Sequence, residues 1–190
     1  MTAPQGGHVL VARLDSVGDI LLGGPAVRAV AASADKVTML VGRGRSAVAR
    51  LLPGVDDVLE FDAPWVVPDP GPLDPAAVDA LIAAVRVAAV DAALVLTSFH
   101  QSPLPLALLL RLAGVGWVGA ISDDYPGSLL DLRHRLPEEP ADVPESEQAL
   151  SLARAAGFAL AGPARLEVRR PLPDVSALVG EGPYVVYHPG

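Results

Sequence analysis

Short runs of valine and leucine alternate with longer segments of helical spacing along most of this 190-residue chain. The first run, from His8 to Arg13, reads HVLVAR. A short apolar run of this kind is typical of a strand buried on both faces. Further strands are predicted at 37–41, 57–61, 92–97, 115–121 and 184–187. Since strands that alternate with helices form parallel sheets covered on both faces, we expect an α/β, Rossmann-like fold.

The intervening segments have the spacing of helices, predicted at 18–32, 46–52, 74–90, 104–113 and 145–157. Pro25 lies inside the first of these and either kinks it or marks the first turn of its main part. Residues 122–144, rich in charge and proline, are predicted to be irregular. Ligands of such sheets bind at the carboxyl ends of the strands, which directs attention to five loops: 14–19, 42–46, 62–73, 98–102 and 122–135.

Composition and charge exclude several classes of partner and site. The formal net charge of −8 gives no general attraction to nucleic acid, whose affinity depends on cationic contacts to phosphate. No cysteine is present, which excludes disulfides. The histidines, His8, His100, His134 and His188, are scattered, and no metal-ligand spacing appears, so no metal is expected.

The amino terminus lacks the pattern of a secretory signal. The most apolar stretch, Pro103 to Ala113, carries Arg111 and is too short to cross a bilayer. We therefore expect a soluble cytoplasmic protein.

The turn after the first strand, residues 13–19, carries the densest set of candidate chemical groups. Asp19 falls at the start of a helix, where backbone N–H groups favour a carboxylate. Such a group can accept a proton from a substrate hydroxyl, but an aspartate at this place is commonly a helix cap. Gly18 allows close approach of a ligand. Neither the G-x-G-x-x-G fingerprint of dinucleotide-binding proteins nor a phosphate-binding P-loop occurs, which disfavours a nucleotide-dependent oxidoreductase or an NTPase.

Three segments resemble glycosyltransferase family 9, the heptosyltransferase family. VLVARLDSVGDILLGGPAVRAV resembles its opening, SFHQSPLPLALLLRLAGV its middle segment, and YVVYHPG the strand that opens its second domain. The match in the opening covers Arg13, Asp15, Gly18, Asp19, Pro25, Ala26 and Arg28. The resemblance extends along the whole chain, in the order of the family.

The resemblance implies the N-terminal domain of a GT-B glycosyltransferase, truncated at the start of the second domain. Residues 1–160 would bind the acceptor, 161–183 would connect the domains, and 184–190 would begin the donor-binding domain. Family members are inverting and metal-independent and use a nucleotide sugar, typically ADP-heptose. The acceptor would be a glycan or glycolipid of the cell envelope, as in lipopolysaccharide biosynthesis, which is compatible with a peripheral contact at the inner membrane face.

The resemblance also assigns roles to single residues. Asp19 matches the proposed general base. Arg13 would hold an anionic group of the acceptor or the leaving diphosphate, unless it forms a salt bridge at the surface, for example with Asp15. The remaining candidates are Asp15, Ser16 and Gly18 in the first turn and Ser98, His100 and Gln101 after the fourth strand for the acceptor, with His188 and Gly190 for the donor. Asp15 and Ser16 are equally compatible with turn formation.

Other loop residues leave alternatives open. Trp65 either stacks on a sugar or closes the edge of the core. Asp123, Asp124 and Tyr125 either line the cleft or form a solvated loop. Since most of the donor site is missing, we expect residues 1–190 alone to be inactive. The alternative function is that of a Rossmann-like module that binds a ligand or partner without chemistry.

Overall fold

Six parallel strands form one sheet in the computed structural model, which describes residues 2–67, 69–98, 101–136, 143–180 and 182–187. The strands are β1 (His8–Arg13), β2 (Lys36–Val41), β3 (Asp57–Glu60), β4 (Ala92–Leu96), β5 (Trp117–Ile121) and β6 (Leu132–His134). The helices are α1 (Val17–Leu22), α2 (Gly24–Ala31), α3 (Ser46–Ala49), α4 (Pro75–Ala88), α5 (Leu104–Leu112), α6 (Glu145–Ala155) and α7 (Ser176–Val179).

The strand order in space is β3-β2-β1-β4-β5-β6. The chain winds outward in one direction from β1 to β3 and then returns to the other side of β1 with β4. Arg13 pairs with Val41 of β2 and with Leu96 of β4, so the carboxyl end of β1 lies at the centre of the sheet edge. The crevice where the order reverses, between β1 and β4, is where doubly wound sheets bind ligands.

Two apolar layers hold helices against opposite faces of the sheet. Val9 and Val11 belong to the layer that includes buried residues of α2 and α6. Leu10 and Ala12 belong to the layer formed with α4 and α5. Every residue of β1 is buried, as is every residue of β4. The predicted α/β fold with helices on both faces is therefore confirmed.

Three predicted elements differ from the structure. The first helix is divided at Gly23, which ends α1 and begins α2, and Pro25 lies in the first turn of α2. The stretch 122–144 is not wholly irregular, because β6 pairs with β5 as a short edge strand. Residues 184–187 do not form a strand: they are exposed, and a strand needs a neighbour to satisfy its backbone N–H and C=O groups.

The segment after α6 returns across α2 and α3. Arg28 of α2 donates to the carbonyl oxygen of Arg165 at 2.6 Å and pairs with Glu167 at 2.7 Å. The backbone N–H of Arg169 donates to the carbonyl oxygen of Leu51 at 2.7 Å. The predicted division into 1–160, 161–183 and 184–190 stays a prediction. Among the described residues, no helix has the length and apolar character that crossing a membrane requires.

Gly54 gives a direct test of the packing between α2 and the turn that follows α3. It has φ of +92°, and a Cβ there would lie 2.5 Å from the Cβ of Ala31. We expect Gly54→Ala to lower the free energy of unfolding by about 1–3 kcal/mol, because backbone strain and overpacking act together. Gly44→Ala is the matched control, since φ is +78° and nothing lies within 4 Å of the added Cβ. Equal losses in urea denaturation would show that the contact with Ala31 contributes nothing.

Candidate functional site

A buried arginine lies at the carboxyl end of β1, beside the crevice between β1 and β4 where the strand order reverses. Arg13 ends β1 with a side chain only 4% exposed. Its Nε lies 2.8 Å from Oδ2 of Asp15, as an ion pair without hydrogen-bond geometry, and its Nη2 donates to Oγ of Ser98 at 2.7 Å. Ser98 in turn donates to Oδ2 of Asp15 at 3.2 Å. This closed triangle fixes the loop after β1 to the loop after β4.

Two further carboxylates reach the same guanidinium. Nη2 of Arg13 lies 3.5 Å from Oδ1 of Asp19 and 3.4 Å from Oε2 of Glu145. The guanidinium of Arg13 therefore has three carboxylate partners within the chain. The ion pair with Asp15 that one of the two interpretations predicts is present, but it is buried and does not lie at the surface. The pair is buried, where desolvation makes each missing partner costly.

Asp19 has a structural role in addition to its place in the crevice. Ser16 is the N-cap of α1: its Oγ accepts from the backbone N–H of Asp19 at 3.3 Å. The Oδ2 of Asp19 accepts from the backbone N–H of Ser16 at 2.9 Å, which completes a capping box. The Oδ1 atom takes no part in the capping box and lies 3.5 Å from Nη2 of Arg13. Capping and catalysis are thus compatible in this geometry, because they use different oxygens of one carboxylate.

Of the remaining predicted residues, Gly18 and Gln101 are described by the structure. Gly18 is exposed, and a Cβ there would meet only Ser16 Oγ at 3.5 Å, so the chain's own packing does not demand glycine. Gln101 accepts from the backbone N–H of Ser98 through Oε1 at 3.3 Å. His100, His188 and Gly190 lie outside the described residues.

A small apolar cavity of about 10 Å³ lies beside the network. Leu14, Thr97 and Gln101 contribute to its wall, together with Trp65. The Trp65 ring packs on Phe61 with 5.8 Å between centroids and contacts the core layer of α4 and α5. Of the two interpretations of Trp65, closing the core edge is observed, and the same side chain lines the pocket.

Sequence reasoning missed Glu145. It is the first residue of α6, and Pro144 precedes it at the N-cap position. Its contact with Arg13 spans 132 positions, and no local pattern marks it. The only available signal was the acidic first turn of a helix that follows β5 and β6.

The β2 side of the edge carries a second hydrogen-bonded turn. The Ser46 hydroxyl donates to Oε1 of Glu60, as do the backbone N–H groups of Gly44 and Ser46. These contacts, the Ser46 hydroxyl first, hold the pKa of Glu60 below its usual value. Arg43 pairs with Asp62 at 3.3 Å. The turn is thereby fixed by the chain's own carboxylates.

Asp123, Asp124 and Tyr125 form an exposed loop after β5. Ser102 donates to Oδ2 of Asp124 at 3.4 Å, which joins this loop to the one after β4. Within the described part of the chain, no three His, Cys, Asp or Glu side chains are grouped so that they could hold a metal ion.

Solved structures of glycosyltransferases share this fold. A glycosyl transferase family 9 protein from Veillonella parvula matches with a TM-score of 0.64 and 13% identity, over 88% of this chain and 45% of that one. The E. coli ADP-heptose LPS heptosyltransferase II matches with a TM-score of 0.55 and 20% identity, over 77% of this chain and 40% of that one. An E. coli heptosyltransferase solved with ADP-2-deoxy-2-fluoro heptose matches with a TM-score of 0.61 and 18% identity, over 82% of this chain and 50% of that one.

The chain thus spans about half the length, or less, of these solved structures. No family model matches the chain, and comparison with curated proteins finds no match. The resemblance to glycosyltransferase family 9 is confirmed at the level of the fold: the chain has a glycosyltransferase-like α/β architecture.

Proposed function

We propose that this chain is the acceptor-binding part of an inverting glycosyltransferase that moves a sugar from a nucleotide sugar to a cell-envelope glycan or glycolipid. One observation carries the proposal. Asp19 lies at the switch point of a glycosyltransferase-like fold, with one carboxylate oxygen held in the capping box and the other beside Arg13. A fixed carboxylate in a ligand-binding crevice is suited to accept a proton.

The proposed step needs no metal. A hydroxyl oxygen of the acceptor attacks the anomeric carbon of the donor sugar while Asp19 accepts the hydroxyl proton. The bond between the anomeric carbon and the diphosphate oxygen breaks, and the nucleoside diphosphate leaves from the opposite face with the electron pair. The configuration at the anomeric carbon is therefore inverted.

The donor, ADP-heptose or another nucleotide sugar, would bind to a second domain that begins at residues 184–190. His188 and Gly190 would belong to that donor site. Arg13, in this scheme, acts through Asp15 and Asp19, since the chain's own carboxylates already surround its guanidinium. The reaction would take place in the cytoplasm.

We expect residues 1–190 alone to transfer no labelled sugar from ADP-heptose or another nucleotide sugar to a glycan acceptor. A protein in which a donor-binding domain follows Gly190 should transfer it. Turnover by residues 1–190 would contradict the division of labour between the two halves. A longer protein that hydrolyses or transfers none of the nucleotide sugars tried would contradict the enzymatic function.

A binding module without chemistry is the alternative, and the capping box favours it, because that contact alone explains an aspartate at this place. The two functions differ in what they require of the Asp19 carboxylate, since a cap needs an acceptor oxygen and a base needs a negative charge.

A further inference from the structure

Residues 163–169, the crossing segment, pass over α2 and α3 after α6 and are held from α2 by Arg28. The Arg28 side chain is 14% exposed. Its Nη2 donates to the carbonyl oxygens of Pro163 and Arg165 at 3.2 and 2.6 Å. Its Nη1 pairs with Oε1 of Glu167 at 2.7 Å. One side chain of α2 therefore contacts three points of the crossing segment.

Arg169 holds the other end of the crossing segment. Its Nε donates to the carbonyl oxygen of Leu52 at 3.1 Å, and its Nη2 donates to that of Val55. Its backbone N–H donates to the carbonyl oxygen of Leu51 at 2.7 Å. Hydrogen bonds with a charged donor stabilise more than neutral ones. The segment is thus tied at its start to α2 and at its end to the turn after α3.

The chain after this segment has no comparable contacts. Of the described residues from 171 to 187, all but Val179 are exposed. The hydrogen bonds of this stretch that join described residues lie within 174–180. By contrast, Ala164 of the crossing segment packs against the core layer of α2 and α6. Attachment to the sheet and its helices therefore ends at Arg169.

The helix that carries Arg28 is joined directly to the helix that carries Asp19. Gly23 ends α1 and begins α2, and its backbone N–H donates to the carbonyl oxygen of Asp19 at 3.1 Å. Arg28 lies in the second turn of α2. A segment fixed to Arg28 is consequently also fixed relative to the Asp19 carboxylate.

We propose that Arg28 is a positioning residue: by holding the crossing segment, it sets where the chain leaves the acceptor-binding half relative to Asp19, and the connection to a donor-binding half begins after Arg169. The consequence for transfer rests on the proposed function, whereas the attachment itself does not. Transfer requires the anomeric carbon within reach of the acceptor hydroxyl, and a misplacement of about 1 Å can reduce a rate about 10²-fold.

Hydrogen exchange in the 190-residue chain tests the attachment. Arg28→Met should accelerate exchange of the Arg169 amide by about tenfold or more, because bonds from a charged donor to the segment are lost. Amides of β1 and β4 should keep their exchange rates, since the change is local. The matched control is Arg86→Met, which removes a guanidinium bond of 2.9 Å to the carbonyl oxygen of Leu112 on the opposite face of the sheet. It should leave the Arg169 amide unchanged.

Turnover tests the positioning role, in a protein in which a donor-binding domain follows Gly190. Arg28→Met should reduce kcat by about tenfold or more, because the two halves are no longer held in register. KM for the acceptor should not change, since the residues around Asp19 are intact. Arg28→Lys should give intermediate values in both experiments: an ammonium group keeps the charge but cannot contact both carbonyl oxygens and Glu167 in the geometry of the guanidinium.

The outcomes separate the attachment from the function. Equal exchange of the Arg169 amide in Arg28→Met and Arg86→Met, or acceleration that includes β1 and β4, would overturn a local attachment by Arg28. Accelerated exchange with unchanged kcat, or a loss that appears only in the acceptor KM, would overturn the positioning role. A longer protein that transfers no sugar with Arg28 in place would contradict the proposed function and the positioning role with it, while the exchange experiment would still decide the attachment.

Discussion

Asp19→Asn, placed in a protein in which a donor-binding domain follows Gly190, is expected under the proposed function to reduce the rate of sugar transfer by about 10²–10⁴-fold. The expected loss is large because asparagine cannot take up the proton that the acceptor hydroxyl releases. The measurement is the turnover of labelled nucleotide sugar at saturating donor and acceptor.

Asparagine is the informative substitution because it preserves the cap. Its side-chain oxygen can still accept from the backbone N–H of Ser16, as Oδ2 of Asp19 does at 2.9 Å. The free energy of unfolding should therefore change little. Asp19→Ala removes the charge and the reciprocal hydrogen bond of the capping box, although Ser16 remains the N-cap, and should also destabilise the fold by about 0.5–1.5 kcal/mol.

The matched control is Asp74→Asn. Asp74 is the N-cap of α4, where its Oδ1 accepts from the backbone N–H of Ala76 at 2.9 Å. The substitution makes the same chemical change at a helix start away from the Arg13 network, and transfer should persist. If Asp19→Asn transfers sugar as fast as Asp74→Asn does, Asp19 is a cap alone, and the binding-module alternative gains its strongest support.

The sheet and its loops could be predicted because their signals are local. A run such as HVLVAR is apolar on both faces, and such a run is compatible with a covered, parallel strand. Once the strands are parallel, the loops that follow them must meet at one edge, and the structure places Ser98 and Asp15 in contact there. The proximity of the loops after β1 and β4 is therefore a consequence of the fold class, and no sequence motif predicts it.

The errors concern contacts that local patterns do not encode. β6 reads LRH, with two polar residues in three, and exists because Asp131 and the following residues reach the edge of β5. Residues 184–187 have the apolar character of a strand, but strand formation depends on a pairing partner that sequence spacing does not supply. Glu145 reaches Arg13 only because α6 packs against α2 on the face of the sheet that brings its first turn to the crevice.

Arg13→Met is expected to lower the free energy of unfolding by about 3–5 kcal/mol. Methionine fills much of the volume of the arginine stem but provides no donor. Asp15, 6% exposed on its side chain, would then keep a buried negative charge without its partner, and Ser98 would lose a 2.7 Å hydrogen bond. Urea denaturation followed by far-UV circular dichroism measures the change.

Two comparisons identify the cause of that loss. Arg154→Met removes an arginine whose pairing with Glu147 is exposed at the surface, and should cost no more than about 1 kcal/mol. The double variant Arg13→Met with Asp15→Asn removes both buried charges and should recover part of the stability lost in the single variant. A single variant that costs no more than Arg154→Met would mean that the guanidinium does not hold the β1 and β4 loops together. Recovery in the double variant would show that the loss in Arg13→Met comes from the buried, unpaired charge of Asp15. Arg13 would then organise the site by neutralising Asp15, a role that requires no contact with the substrate.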